Sequence, residues 1–238
     1  KSQIPYIQKA LTDAGIASEV LGLGGLVHVP EVADIVALLK VINSPDAGGA
    51  LMRHLTGPRI NLGPRDIAAL GRFARSRSES LSADSRSIVK NIVAGNPQSA
   101  EADDQFIGSV IDALDEIEKC DKSKFSSAGY ERLSTFAADL RRLRSRASAP
   151  ITDLIVDIER YLNLEAEVML RDGGTHGRRH LDRFMDEAAK FARSGGSLSA
   201  FLQWLDVASE EEGGLKAGAP DVDASVVQIL TIHMAKGA

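Results

Sequence analysis

Cysteine occurs once, at Cys120, so no disulfide can form within this chain and no four-thiolate metal site can be built. Aromatic residues make up only 5% of the chain, with a single tryptophan. That share fits an ordinary globular composition. No uninterrupted apolar run reaches the roughly 18–20 residues needed to cross a bilayer, and the opening residues lack the pattern of a secretory signal. A cytoplasmic setting and no membrane partner are the expectation. A glycine-rich phosphate loop ending in Gly-Lys-Ser/Thr is also missing. So are any Ser/His/Asp or Cys/His arrangement with a local signature and any metal-ligand spacing among His28, His54, His176, His180 and His233. The net charge of −5 argues against a basic face covering the whole surface but leaves room for a local one.

What is present is a sequence of 238 residues, 44% hydrophobic and 26% charged, long enough to bury about 70–75% of its unfolded surface. Helical periodicity dominates. Ile4, Ile7 and Leu11 mark a first helical stretch that stops at Gly15. Pro30 suits the first turn of a helix, and Val32, Ile35, Val36, Leu38, Leu39, Val41 and Ile42 predict that it is buried nearly all round. Ser44-Pro45-Asp46 breaks it and starts another helix near 46–55. Further helices are predicted over 66–74, 104–118, 127–146, from Pro150 onward, 178–192 and 197–208. The basic run Arg141, Arg142, Arg144 and Arg146 reads as a solvated helix end. Arg72, Arg75 and Arg77 are better placed for a phosphate patch. Residues 209–224, acidic and then rich in glycine, alanine and proline, read as a linker.

Two stretches read as strands. Glu19–Gly22 is short and runs into Gly22, Gly24 and Gly25, three glycines in four positions that fit a sharp turn or hinge. Residues 226–232 are almost continuously apolar, as in a strand buried on both faces of a parallel sheet. That strand carries Thr231, His233 and Lys236 to its carboxyl end, where open α/β sheets bind ligands, and Gly237 permits a tight turn. The expected fold class is therefore mainly α, a helical bundle-like body with small α/β pieces at both termini.

The segment Gln228-Ile229-Leu230-Thr231-Ile232-His233-Met234-Ala235-Lys236-Gly237 resembles the fifth motif of the UvrD/Rep/PcrA-like superfamily-one DNA helicases. Gly24-Gly25, Pro30-Glu31-Val32-Ala33-Asp34 and Leu38 through Asp46 are similar to the run that opens the accessory insertion of that family. Pro58-Arg59-Ile60-Asn61-Leu62-Gly63-Pro64-Arg65 resembles its P-x-R-G-I-G segment, a relative of helix-hairpin-helix loops. Asn61 stands at the pattern's first glycine, and Pro64 withholds one N–H. Arg178 through Phe184, followed by Ser197 through Leu202, is similar to the later helices of the same insertion.

The resemblance implies three parts: residues 1–25 as an N-terminal piece of the second RecA-like domain, 2A; 26–224 as the helical 2B accessory subdomain; and 225–238 as the returning 2A strand. It also implies that Thr231, His233, Lys236 and Gly237 contact the backbone of single-stranded DNA. For Arg59, Asn61, Gly63 and Arg65 it implies contact with duplex phosphates, to which a glycine turn before a helix N-terminus offers backbone N–H groups and the arginines add charge. The family's phosphate loop and its motif-four and motif-six arginines fall outside Lys1–Ala238. The chain is thus expected to be a piece of an ATP-dependent 3′–5′ helicase acting in repair or recombination. ATP and magnesium would be cofactors of the parent and not of these residues, which by themselves should be inactive. DNA, as single strand and as duplex junction, is the expected partner, with repair proteins beside it. A helical protein-interaction module of a repair machine is the alternative.

Overall fold

The computed structural model describes residues 6–7, 10–11, 14–16, 18–20, 26–92, 109–171, 178–210 and 227–229. They are overwhelmingly helical, as the periodicity predicts. In chain order the elements are strand β1 (Ser18–Val20), helices α1 (Pro30–Asn43), α2 (Gly48–Thr56), α3 (Pro64–Ile92), α4 (Val110–Asp115), α5 (Ser127–Arg144), α6 (Ile151–Leu162), α7 (Leu164–Arg171), α8 (Arg179–Ala192) and α9 (Leu198–Glu210), and strand β2 (Val227–Ile229). Short 3-10 turns lie at Leu26–His28, Ile117–Lys119 and Lys122–Lys124.

The chain divides into two compact units, one formed by residues 1–36 with 149–238, the other by 37–148. The expected boundaries near residues 25 and 225 adjoin or fall within segments outside the described residues. In the discontinuous unit, β1 pairs in parallel with β2, Ser18 opposite Val227 and Val20 opposite Ile229. Helices α6 and α8 pack together, burying Leu154, Ile155, Ile158, Leu181, Phe184 and Ala188. Phe184, Phe191, Phe201 and Trp204 join α8 to α9, with successive ring centroids 5.3–6.0 Å apart. That spacing is favourable for tilted aromatic pairs. Gly196 makes this approach possible, because a Cβ there would run into the Phe191 ring.

In the continuous unit α4 packs against α3 and α5, with Leu70, Ala74, Ile111, Leu114, Leu133, Phe136 and Leu140 in its core. Three readings change here. Helix α3 was expected to end at Ala74 and instead runs to Ile92. Beyond Ala74 the sequence turns to serine and arginine, so the apolar period fades while the propensities of Arg, Leu, Ala and Glu still favour helix. The helix expected over 104–118 starts only at Val110, because the Ser109 side chain accepts from the Asp112 N–H and caps it. Residues 104–108 lie outside the described residues.

The third change concerns the basic run, which is not simply solvated. Arg144 pairs with Asp115 and donates to the Val41 carbonyl at 3.0 Å. Arg141 donates to the Asp115 carbonyl at 2.9 Å. The end of α5 is thereby tied to α4, and Arg144 adds a bond to α1.

Candidate phosphate-binding hairpin

Arg59, Asn61, Gly63 and Arg65 all fall in one hairpin, the link from α2 to α3. Its shape follows from a few local interactions. The Gly57 N–H bonds the Arg53 carbonyl and closes α2. The Asn61 N–H then reaches the Gly57 carbonyl at 2.8 Å, and the Leu62 N–H reaches Leu55 at 2.9 Å. Ile60 and Leu62 point inward and are buried, while Arg59, Asn61, Gly63 and Arg65 stay exposed.

Asn61 sits at φ 48, in the left-handed region. Asparagine is the residue other than glycine best suited to that region, since its short polar side chain is tolerated there. Asn61 thus holds a left-handed backbone that glycine at this position would also allow. Gly63 needs no special φ, but a Cβ at this position would meet nothing within 4 Å, so the space beside its backbone is open.

Helix α3 begins at Pro64, and the Asp66 and Ile67 N–H groups both bond the Gly63 carbonyl. Pro64 has no N–H, so the donors this helix end can offer to solvent are the Gly63 and Arg65 amides. Asp66, in the same first turn, is turned away and buried. Its carboxylate accepts from the Ser126 N–H and from the Ser126 hydroxyl, both at 2.7 Å. Ser126 is in turn the N-cap of α5, accepting from the Gly129 N–H at 3.0 Å. Two helix N-termini thus converge on one internal carboxylate, which satisfies their inward-facing positive ends. Among the described residues, the outer rim of this helix end is formed by the exposed Gly63 and Arg65, with Arg59 nearby in the hairpin.

Arg132, one turn further along α5, fixes the hairpin from behind. Its Nη1 donates to the carbonyls of Ile60 at 3.3 Å and Asn61 at 2.9 Å. Neither Arg132 nor Asp66 stands out in the sequence as part of this site. An acidic residue in the first turn of a helix was the only available signal for Asp66, and nothing local marks Arg132.

A second polar cluster lies in the discontinuous unit. Arg178 bonds Glu159 at 3.3 Å, Asp182 at 3.3 Å and Glu165 at 3.5 Å, linking α6, α7 and α8. Burial pushes the Glu159 carboxyl above its ordinary value despite this arginine, and its Oε1 is buried without a partner among the described residues. The cleft beside it is lined by Val156, Glu159, Arg160, Asn163, Glu165 and Arg178.

Thr231, His233, Lys236 and Gly237, and the hinge glycines Gly22, Gly24 and Gly25, lie outside the described residues. The sequence has no phosphate loop, and no group of three or more His, Cys, Asp or Glu side chains among the described residues could hold a metal. No described helix is long and apolar enough to cross a membrane.

No family model matches the chain. Among curated proteins it is similar to the ATP-dependent DNA helicase UvrD1 of Mycobacterium leprae, 22% identical over 239 residues that cover 97% of this chain and 28% of that protein. Over 79 residues it is 31% identical to the ATP-dependent DNA helicase Rep of Salmonella typhimurium and 30% identical to that of Escherichia coli. Each of these matches covers 33% of this chain and 12% of the relative. The chain therefore spans well under a third of the length of these relatives. With near-complete coverage by one relative and a stronger local match to two others, the chain is related to the UvrD/Rep-like DNA helicases.

Proposed function

We propose that the chain is the 2B accessory subdomain of an ATP-dependent 3′–5′ DNA helicase, flanked by short pieces of its 2A domain, and that its α2–α3 hairpin contacts the phosphates of duplex DNA. The observation that carries this reading is the hairpin itself. Asn61 holds the left-handed turn, Gly63 leaves open space, and Arg59 and Arg65 flank an exposed helix N-terminus. The parallel pairing of β1 with β2 supports the reading of both ends as neighbouring strands of one host sheet. On this reading Thr231, His233, Lys236 and Gly237 serve the host's single-strand path, and ATP hydrolysis belongs to the parent enzyme.

The test is a titration of the chain with short duplex DNA across a salt series. For Z neutralised phosphates, log K falls with log salt at a slope of about −0.9Z. Arg59→Ala with Arg65→Ala lowers the magnitude of that slope by about 1.8. Absence of salt-dependent binding at low ionic strength overturns the hairpin reading.

The second reading, a protein-interaction module of a repair machine, is favoured by the apolar residues left exposed late in the chain. Leu170 is 86% exposed, and Met169 and Val207 are also uncovered. A repair protein captured by a chain that does not bind DNA would favour it.

A further inference from the structure

The hairpin is one end of a longer basic surface. Helix α3 starts at the hairpin, and its exposed positions over the next three turns include Arg65, Ala68, Arg72, Arg75 and Ser76. At about 100° per residue, Arg65, Arg72 and Arg75 fall within a sector of about 80° on one side of the helix, with Ala68 inside it. At about 1.5 Å per residue, Arg72 lies about 10.5 Å along the axis from Arg65, and Arg75 about 4.5 Å further. Every acidic side chain among residues 64–78 is accounted for by Asp66, which is buried against Ser126.

The basic residues of this helix divide cleanly. Arg77 is half-buried and neutralised by Glu116 at 3.1 Å. It faces the packed side and holds α3 against the turn that follows α4. Arg72 and Arg75 form no ion pair or hydrogen bond with any described residue. No described carboxylate pairs with either of them, and the next acidic residue in the sequence is Glu79, four residues after Arg75. Ala68 is small, so the surface between Arg65 and Arg72 stays low and a phosphate can approach between the two guanidinium groups.

We infer that Arg65, Arg72 and Arg75 form a rail for a phosphodiester backbone, which extends the hairpin contact along α3 by about two further phosphates. The inference rests on the hairpin reading for its starting point, but its own residues are Ala68, Arg72 and Arg75. A rail of charges at irregular spacing on a straight helix reads no bases. It aligns the nucleic acid axis with α3 and adds affinity without sequence preference.

The experiment uses the full 238-residue chain with a short duplex and a single strand of equal length, each titrated over a salt series. Arg72→Ala with Arg75→Ala lowers the magnitude of the duplex slope by about 1.8, or by about 1.4 if the rail holds a single strand. Ala68→Glu lowers it by about one further contact, because the new carboxylate faces Arg72 at helical i,i+4 spacing. All three residues are exposed, so the far-UV circular dichroism and urea midpoint of these variants match those of the parent chain. An Arg72/Arg75 variant whose slope equals that of the parent, while the Arg59/Arg65 variant loses its share, overturns the rail and leaves the hairpin reading standing. The converse pattern overturns the hairpin and, because Arg65 belongs to both, the three-residue rail with it. Poly-glutamate binding as tightly as duplex at equal charge concentration also overturns the rail, because the surface would then select any polyanion.

Discussion

Replacing Gly129 by alanine tests how the hairpin is held. A Cβ at this position would overlap the Asp66 carboxylate and stand 2.8 Å from the Ser126 hydroxyl oxygen. The Asp66 oxygens are already committed to two 2.7 Å hydrogen bonds, so the carboxylate must move. Loss of one hydrogen bond to a charged group costs about 1.5–3 kcal/mol. Forcing a methyl group into a filled site costs about 1–3 kcal/mol. Against this, alanine gains at most about 1 kcal/mol over glycine in a helix. The net destabilisation is about 2–4 kcal/mol. Urea unfolding followed by far-UV circular dichroism reads it as a lower midpoint at unchanged slope. Gly71→Ala is the matched control. Gly71 lies inside α3, and a Cβ there meets nothing within 4 Å. The same chemical change should stabilise the chain by up to about 1 kcal/mol. If Gly129→Ala proves as stable as the parent chain, or follows Gly71→Ala, then Asp66 does not join the two helix starts as described.

Three further outcomes follow from the geometry. Asn61→Val should destabilise by about 1–2 kcal/mol, since a β-branched residue resists the left-handed region, while Asn61→Gly should cost nothing; equal urea midpoints for the two would contradict the assigned φ. Arg132→Ala should weaken duplex binding by loosening the hairpin from behind, and adding guanidinium ion at low millimolar concentration should partly restore it in a fluorescence-anisotropy titration. Glu159 is expected to impose a pH dependence. Its folded pKa is raised above the ordinary carboxyl value, so its most favourable contribution is present below the unfolded pKa and is lost as pH rises through the folded one. Glu159→Gln should flatten the stability profile between pH 4.5 and neutrality and leave the chain no less stable at pH 7; a variant that is less stable at pH 7 than the parent would show that pairing with Arg178 outweighs burial.

The sequence makes legible what depends on local chemistry. Pro30 opens α1, Pro150 stands at the N-cap of α6, and the apolar stripes of α5, α8 and α9 are the ones that become buried. The hairpin residues were identifiable because turn residues between two apolar runs have few conformations available. Arg132 and the Asp66–Ser126 link were not, because contacts separated by 60 residues or more leave no periodic trace. Helix α7 also escaped notice. Asn163 ends α6 at φ 53, and α7 starts at the very next residue, so no loop composition separates the two. The extent of α3 beyond Ala74 was hidden because serine and arginine interrupt the apolar period of the sequence there.

The division into one continuous and one discontinuous unit has a consequence for the order in which the chain can be assembled. Every contact internal to residues 37–148 is available once that stretch has been synthesised. The Asp66–Ser126 link, the α3–α4–α5 packing and the hairpin can all form while later residues are still being added. The unit formed by 1–36 and 149–238 is completed later, because the described partner of β1 is β2, which is synthesised after everything between them. Closing so long a loop is slow relative to local pairing. During synthesis the hairpin and the helix face beside it can therefore be complete before the pairing of β1 with β2 exists.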